Sequence, residues 1–112
     1  MSNSLIYLAC PYTHPDEMVM LERFDLANRA ANKLINLGLY VFSPISHTHP
    51  IRIAGSLPPS WEFWKGYDTT MIARCQKMIV VKAKGWEESK GVQAEIVIAK
   101  QLGIDVEYLE VE

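Results

Sequence analysis

Met78-Ile-Val-Val81 is the stretch on which the fold turns: four apolar residues, three of them β-branched, set between Lys77 and Lys82. A strand with one wet face alternates polar and apolar residues. An unbroken apolar run of this length marks a strand covered on both faces, as happens when parallel strands are joined by helices. Just upstream, Ser60 can cap a helix that carries Trp61, Trp64, Met71, Ile72 and Cys75 on one side. Downstream, 84–90 reads as a loop, 91–102 as a helix stopped by Gly103, and 104–111 as a last strand.

Further out, Leu5-Ile-Tyr-Leu-Ala-Cys10, closed by Pro11, reads as the first strand. Thr13-His-Pro-Asp16 has helix-start chemistry, with Thr13 as the hydroxyl cap, and Leu21, Phe24, Ala27, Ala31, Leu34 and Ile35 then keep a helical period as far as Gly38. Leu39-Tyr-Val-Phe42 is the second strand, and a polar loop holding His47 and His49 extends from Ser43-Pro44 to Pro59. The order β-α-β-α-β-α-β predicts a parallel sheet sandwiched by helices, a three-layer α/β/α arrangement of the Rossmann-like or flavodoxin-like kind. Ligands of such sheets sit beyond the carboxyl ends of the strands, which nominates 10–14, 43–49 and 82–89.

The bulk properties narrow the function. A chain of 112 residues has room for one domain, taken as 1–112. Its net charge of -2 and lack of a basic stripe argue against nucleic acid as a partner. No segment approaches the roughly 20 apolar residues of a membrane span, and the run 5–10 is too short and too poorly flanked for a signal peptide. These features suit a cytoplasmic protein, in which Cys10 and Cys75 are expected as free thiols.

Two acids fall where core residues belong. On the last helix Val92, Ile96, Ala99 and Leu102 share a face, and Glu95, three after Val92 and four before Ala99, lies on it. On the preceding helix Asp68 sits four after Trp64 and four before Ile72. A carboxylate on a core-facing stripe costs several kcal/mol unless it is paired, hydrated or protonated. One reading makes both acids structural, capping a loop or paired with Arg29 or Arg74. The other places both in one cavity, as in glycosyl transfer, where one acid attacks or stabilises C1′ and the other protonates the leaving group. Ser89-Lys-Gly91, at the start of the last helix, is either an ordinary cap or part of an anion site.

These residues carry a resemblance. Ile6-Tyr7-Leu8, Tyr67-Asp68 and Ser89-x-Gly91-x-x-x-Glu95-Ile96 resemble, in matching order over nearly the whole chain, the nucleoside 2-deoxyribosyltransferase superfamily. That superfamily includes N-hydrolases of 2′-deoxynucleoside 5′-phosphates. Within it the chain looks most similar to small phage and bacterial proteins of unassigned function that begin Ile-Tyr-Leu-Ala-x-Pro-Tyr. The resemblance implies that Glu95 is the nucleophile, that the Tyr7 hydroxyl orients it, and that Asp68 assists departure of the base. Ser89 matches a position that is aspartate in the transferases and a phosphate-contacting serine in the nucleotide hydrolases, which implies a 5′-monophosphate substrate. The loop Cys10-Pro-Tyr12-Thr-His14 departs from the Gly/Ser-rich phosphate loop of those hydrolases, and His47-Thr-His49 and Trp61-Glu-Phe-Trp64 have no counterpart.

Other roles stay open on the sequence. Cys10, Tyr12 and His47 are candidate substrate contacts together with Ser89 and Gly91. His47 and His49 without a third ligand are weak evidence for a metal, and neither metal nor cofactor is expected. Trp61 and Trp64 suit a core or a stacking surface for a base. The expected partner is a small-molecule nucleotide or nucleoside, with cleavage or base exchange as the reaction. The alternative is a non-catalytic nucleotide-binding or sensor module, which would not need Tyr7, Asp68 and Glu95 together. Ala94, Val97 and Ile98 form a second apolar strip on the last helix, read as a contact in a homodimer or homotetramer.

Overall fold

The computed structural model describes residues 4–111. Its elements run β1 (Leu5–Ala9), α1 (Glu17–Asn36), β2 (Tyr40–Phe42), α2 (Pro44–Gly55), α3 (Trp61–Ile72), β3 (Lys77–Val81), α4 (Lys90–Gln101) and β4 (Asp105–Leu109). The strands form one parallel sheet in the order β2-β1-β3-β4, so the three-layer α/β architecture is as expected.

The two-residue period of the strands sorts the core into two halves. Ile6, Leu8, Ile79 and Val81 face α1, where Ala27, Ala30, Ala31 and Leu34 close over them. Tyr7, Ala9, Met78 and Val80 face the opposite side, under Ile72 of α3 and Val92, Ile96 and Ala99 of α4. Cys10 belongs to the first half and Cys75 to the second, so the sheet separates the two free thiols. The same alternation aims Tyr7, at the centre of β1, toward α4.

Three details differ from the sequence reading. The cap of α1 is Asp16, whose side chain accepts from Met18 N at 2.9 Å, while Thr13 Oγ1 donates instead to the Pro59 carbonyl at 2.7 Å. Leu102, expected on the core face, is half exposed because α4 ends at Gln101 and Leu102 is its cap. The polar segment after β2 is largely helix α2, capped by Ser43, begun by Pro44 and closed by Ser56 in the left-handed conformation (φ 59°). Pro50 inside this helix forgoes one backbone hydrogen bond and crowds the preceding turn. Burial of Ile45, His49 and Arg52 at helical spacing on one face offsets that cost.

Candidate active site

The chain leaves β1 toward β2 on one side and returns to β3 on the other, so the order of the sheet reverses at β1. Crevices at such switch points collect ligands. A cavity of about 460 Å³ opens here, bounded by Cys10, Tyr12 and His14 after β1, by Ile45, Thr48 and Arg52 of α2, by Trp61, Trp64 and Asp68 of α3, and by the 85–95 segment. Its size suits a small-molecule ligand.

Glu95 lies at the bottom and is 6% exposed. The fully buried Tyr7 hydroxyl donates to Glu95 Oε2 at 2.7 Å. Burial holds the Tyr7 phenol well above its usual range, and the charges of Glu95 and Asp68 push the same way, so it remains a donor. Glu95 itself is raised well above the usual carboxylate range, first by burial and then by Asp68, against the lowering effect of the Tyr7 hydrogen bond. Burial pushes Asp68 up to about 6, opposed by its hydrogen bond with Glu95. No cation is among the causes of either shift. Arginine pairing, one form of the structural reading, is therefore not what holds these acids, and Arg74 instead donates to the Thr70 carbonyl. Two carboxyls joined by a hydrogen bond and raised together hold a proton between them.

Ser89 caps α4, its Oγ accepting from Val92 N at 3.2 Å. The hydroxyl proton is left free for another acceptor. Gly91 lines the same wall, and a Cβ there would meet Trp61 at 3.8 Å, an ordinary contact, so crowding does not demand the glycine. Lys90 and Glu62 form an ion pair that links the first turns of α4 and α3. Cys10 contributes to the wall, with its thiol pushed up to about 12 by burial, so it is not a ready thiolate. Trp61 and Trp64 also line the cavity, which selects the wall over the core among the two readings of these rings.

His47 is not at this cavity. It borders a shallow depression with Asn28, Asn32 and Ser43, and its ring faces Phe42 at 6.0 Å. The turn of α2 sends residues two apart in different directions, so the expectation of a substrate contact at His47 does not fit this placement. His49 is the histidine directed inward: it stacks on Phe24 at 4.4 Å, and its Nδ1 lies 2.6 Å from the Tyr12 hydroxyl. Among the described residues no group of three or more His, Cys, Asp or Glu could hold a metal ion, and no helix is long and apolar enough to cross a membrane.

Two arginines escaped the sequence reading. Arg23 of α1 donates to the Thr13 carbonyl at 3.1 Å and to those of Tyr12 and Lys84 at 3.4 Å, tying the loop after β1 to the loop after β3. Gly85 (φ 88°) lies beneath it, where a Cβ would come within 2.9 Å of Nη2. Arg52, 5% exposed, donates from Nε to the Tyr12 hydroxyl at 2.8 Å and from Nη2 to Glu17 at 3.2 Å. Tyr12 accepts that hydrogen bond, and its own hydroxyl proton is available to His49 Nδ1. Burial, reinforced by the Arg52 charge, lowers the His49 pKa and keeps the ring neutral to accept it.

Sheet, switch point and acid pair, with Glu95 buried and Asp68 partly so, together define a parallel three-layer α/β protein with a carboxylate-lined cavity at its strand ends. The chain belongs to the family described as a domain of unknown function, DUF1937, whose model matches residues 4–111. Among curated proteins none matches it. Among solved structures it is similar to a 2-deoxyribosyltransferase from the psychrotolerant bacterium Bacillus psychrosaccharolyticus, with a TM-score of 0.66 and 22% identity over 96% of this chain and 72% of that one. That likeness shows a shared fold.

Proposed function

We propose that this protein cleaves, or exchanges the base across, the N-glycosidic bond of a nucleoside or nucleoside 5′-monophosphate, with Glu95 as nucleophile. The observation that carries the proposal is the buried Glu95 carboxyl, held by the Tyr7 hydroxyl at 2.7 Å and sharing a hydrogen bond with Asp68 inside the cavity. An acid this desolvated, unpaired with any cation and oriented from both sides, has the features of an activated carboxylate. The fold shared with a 2-deoxyribosyltransferase supports the same reading.

In the first step a Glu95 oxygen bonds to C1′ through an oxocarbenium-like transition state. The C1′–N bond breaks, its electron pair stays on the departing base, and the proton held between the acids passes to that base from Asp68. Proton transfer from Glu95 to Asp68 along their hydrogen bond readies both groups at once. Water, or the ring nitrogen of a second base, then attacks C1′ while the Asp68 carboxylate takes its proton; the bond from C1′ to Glu95 breaks and its electron pair returns to the Glu95 carboxylate. The free proton of Ser89, together with the N–H groups that begin α4, would receive a 5′-phosphate.

The test is a chromatographic screen of nucleosides and 5′-monophosphates for released base, run with wild type and Glu95→Gln. Release by wild type and loss of nearly all of it in a folded Glu95→Gln protein are expected, since an amide cannot form the ester. No release from any member of the screen, or equal turnover by the variant, refutes the proposal.

A further inference from the structure

We propose that Arg52 reads the nucleobase, selecting bases that turn a carbonyl oxygen toward it over those that present an amino group there. This rests on the glycosidic reading of the Glu95 site, which sets where the sugar lies.

The sheet supplies the direction. Helix α2 follows β2 and α4 follows β3, and β1 runs between those strands. With neighbouring strands about 4.8 Å apart, the two helix starts flank β1 at a separation of about 10 Å. Glu95 is anchored over β1 by Tyr7. A furanose with C1′ at Glu95 and its 5′ end toward Ser89 on the β3 side must send its base away from Ser89. That direction leads toward α2, whose Thr48 and last-turn Arg52 line the cavity.

Arg52 has the attributes of a reading group. It is 5% exposed yet faces the cavity. A guanidinium has five N–H donors and no acceptor. Three of its contacts are made within the protein: Nε to Tyr12, Nη1 to the Leu57 carbonyl at 3.4 Å and Nη2 to Glu17. Glu17 is 68% exposed, so water competes for that last contact. The remaining N–H groups can be answered only by an acceptor. The Tyr12–His49 hydrogen bond and the Phe24–His49 stack fix the plane of the guanidinium beforehand. A carbonyl oxygen there completes a charge-assisted bond, whereas an amino group sets donor against donor. A site built on fixed polar partners discriminates strongly against the mismatched analogue.

Calorimetric titration with free bases tests this directly, comparing hypoxanthine with adenine and uracil with cytosine. Wild type is expected to favour the oxo member of each pair by roughly ten- to a hundredfold in Kd, the worth of one hydrogen bond to a charged group. Arg52→Gln should bring both ratios close to one. Tyr12→Phe, which keeps the ring and removes the hydroxyl shared by Arg52 Nε and His49, should lower them part of the way. The kcat/KM ratios for the matching nucleosides and monophosphates should follow. A wild-type ratio near one, an undiminished ratio in folded Arg52→Gln, or a loss in that variant confined to monophosphates of every base overturns the inference; the last outcome would make Arg52 a phosphate ligand. Should Arg52→Gln fail to fold, an unchanged ratio in Tyr12→Phe overturns it alone. Base release with unaltered ratios sinks the Arg52 assignment and spares the glycosidic reading. Absence of both binding and release sinks the two together.

Discussion

Replacing Asp68 by Asn probes the acid pair through stability and rate at once. Asp68 rises from its usual 3.8 to about 6 in the folded protein, chiefly by burial. Between those values the folded state binds the proton more tightly than the unfolded chain does. The resulting stabilisation is complete below pH 3.8 and disappears as pH climbs through about 6. At 1.36 kcal/mol per pH unit the rise corresponds to about 3 kcal/mol, an upper figure because Glu95 shares the proton. Asp68→Asn removes this loss along with the charge that raises Glu95. The variant should match wild type near pH 4 and exceed it at pH 8 by up to about 3 kcal/mol, roughly 10 °C in Tm for a chain of this size. Thermal or urea unfolding of both proteins at several pH values measures the difference. Base release should follow the single shared proton: wild-type kcat/KM should rise as the pair loses its first proton near pH 6 and fall at higher pH as it loses the second, with the Asn variant slow and without that descending limb. Identical pH dependence of stability in the two proteins would refute the buried pair, and a shared descending limb in their rates would remove Asp68 as the proton donor.

Tyr7→Phe deletes the buried hydrogen bond to Glu95 and should cost about 1–2 kcal/mol in denaturant unfolding, with a larger relative loss in kcat than in KM. Ser89→Ala should weaken turnover of 5′-monophosphates by about ten- to a hundredfold and leave the matching nucleosides nearly unchanged; equal effects on both would reduce Ser89 to the helix cap it forms with Val92 N. Gly85→Ala places a methyl 2.9 Å from Arg23 Nη2 at φ 88°, and a melting curve should register a loss of about 1–3 kcal/mol. Assembly is testable at Val97, which is 53% exposed, whereas Ile98 packs partly into the core. If the strip on α4 is a self-contact, wild type sediments above monomer mass at micromolar concentration and Val97→Glu returns it to monomer without unfolding.

The parts of this molecule legible in its sequence are those with a clean period. The continuous apolar run of β3 implied helices on both sides of the sheet, and they are there. The helical spacing of Asp68 and Glu95 within apolar stripes puts both acids on inward faces, and both line the cavity. Helix α2 was hidden because its buried face consists of Ile45, His49 and Arg52, two of them residues that normally mark a wet surface, and because Pro50 reads as a breaker. Ser43-Pro44, a hydroxyl cap followed by proline at the first helical position, was the available signal. Missing that helix also meant missing Arg52 and choosing His47 over His49, since which histidine faces inward depends on the turn of α2. Arg23 gave no local sign at all, because its partners are backbone carbonyls of two distant loops.

The two margins of the sheet bear on how the chain behaves among copies of itself. Strand β2 offers only three residues at one margin, too few for another strand to align on. At the other margin β4 exposes Asp105, Glu107 and Tyr108, and Glu107 and Glu110 are held by Lys77 and Lys82 at 3.0 and 2.7 Å. A strand arriving at β4 from another molecule would have to lay its side chains beside those acids. Short and charged margins are the means by which sheets avoid templating one another. Growth by strand addition, the route to cross-β aggregates, is thus obstructed at both ends, and the helical faces are left as the surfaces on which identical chains can meet.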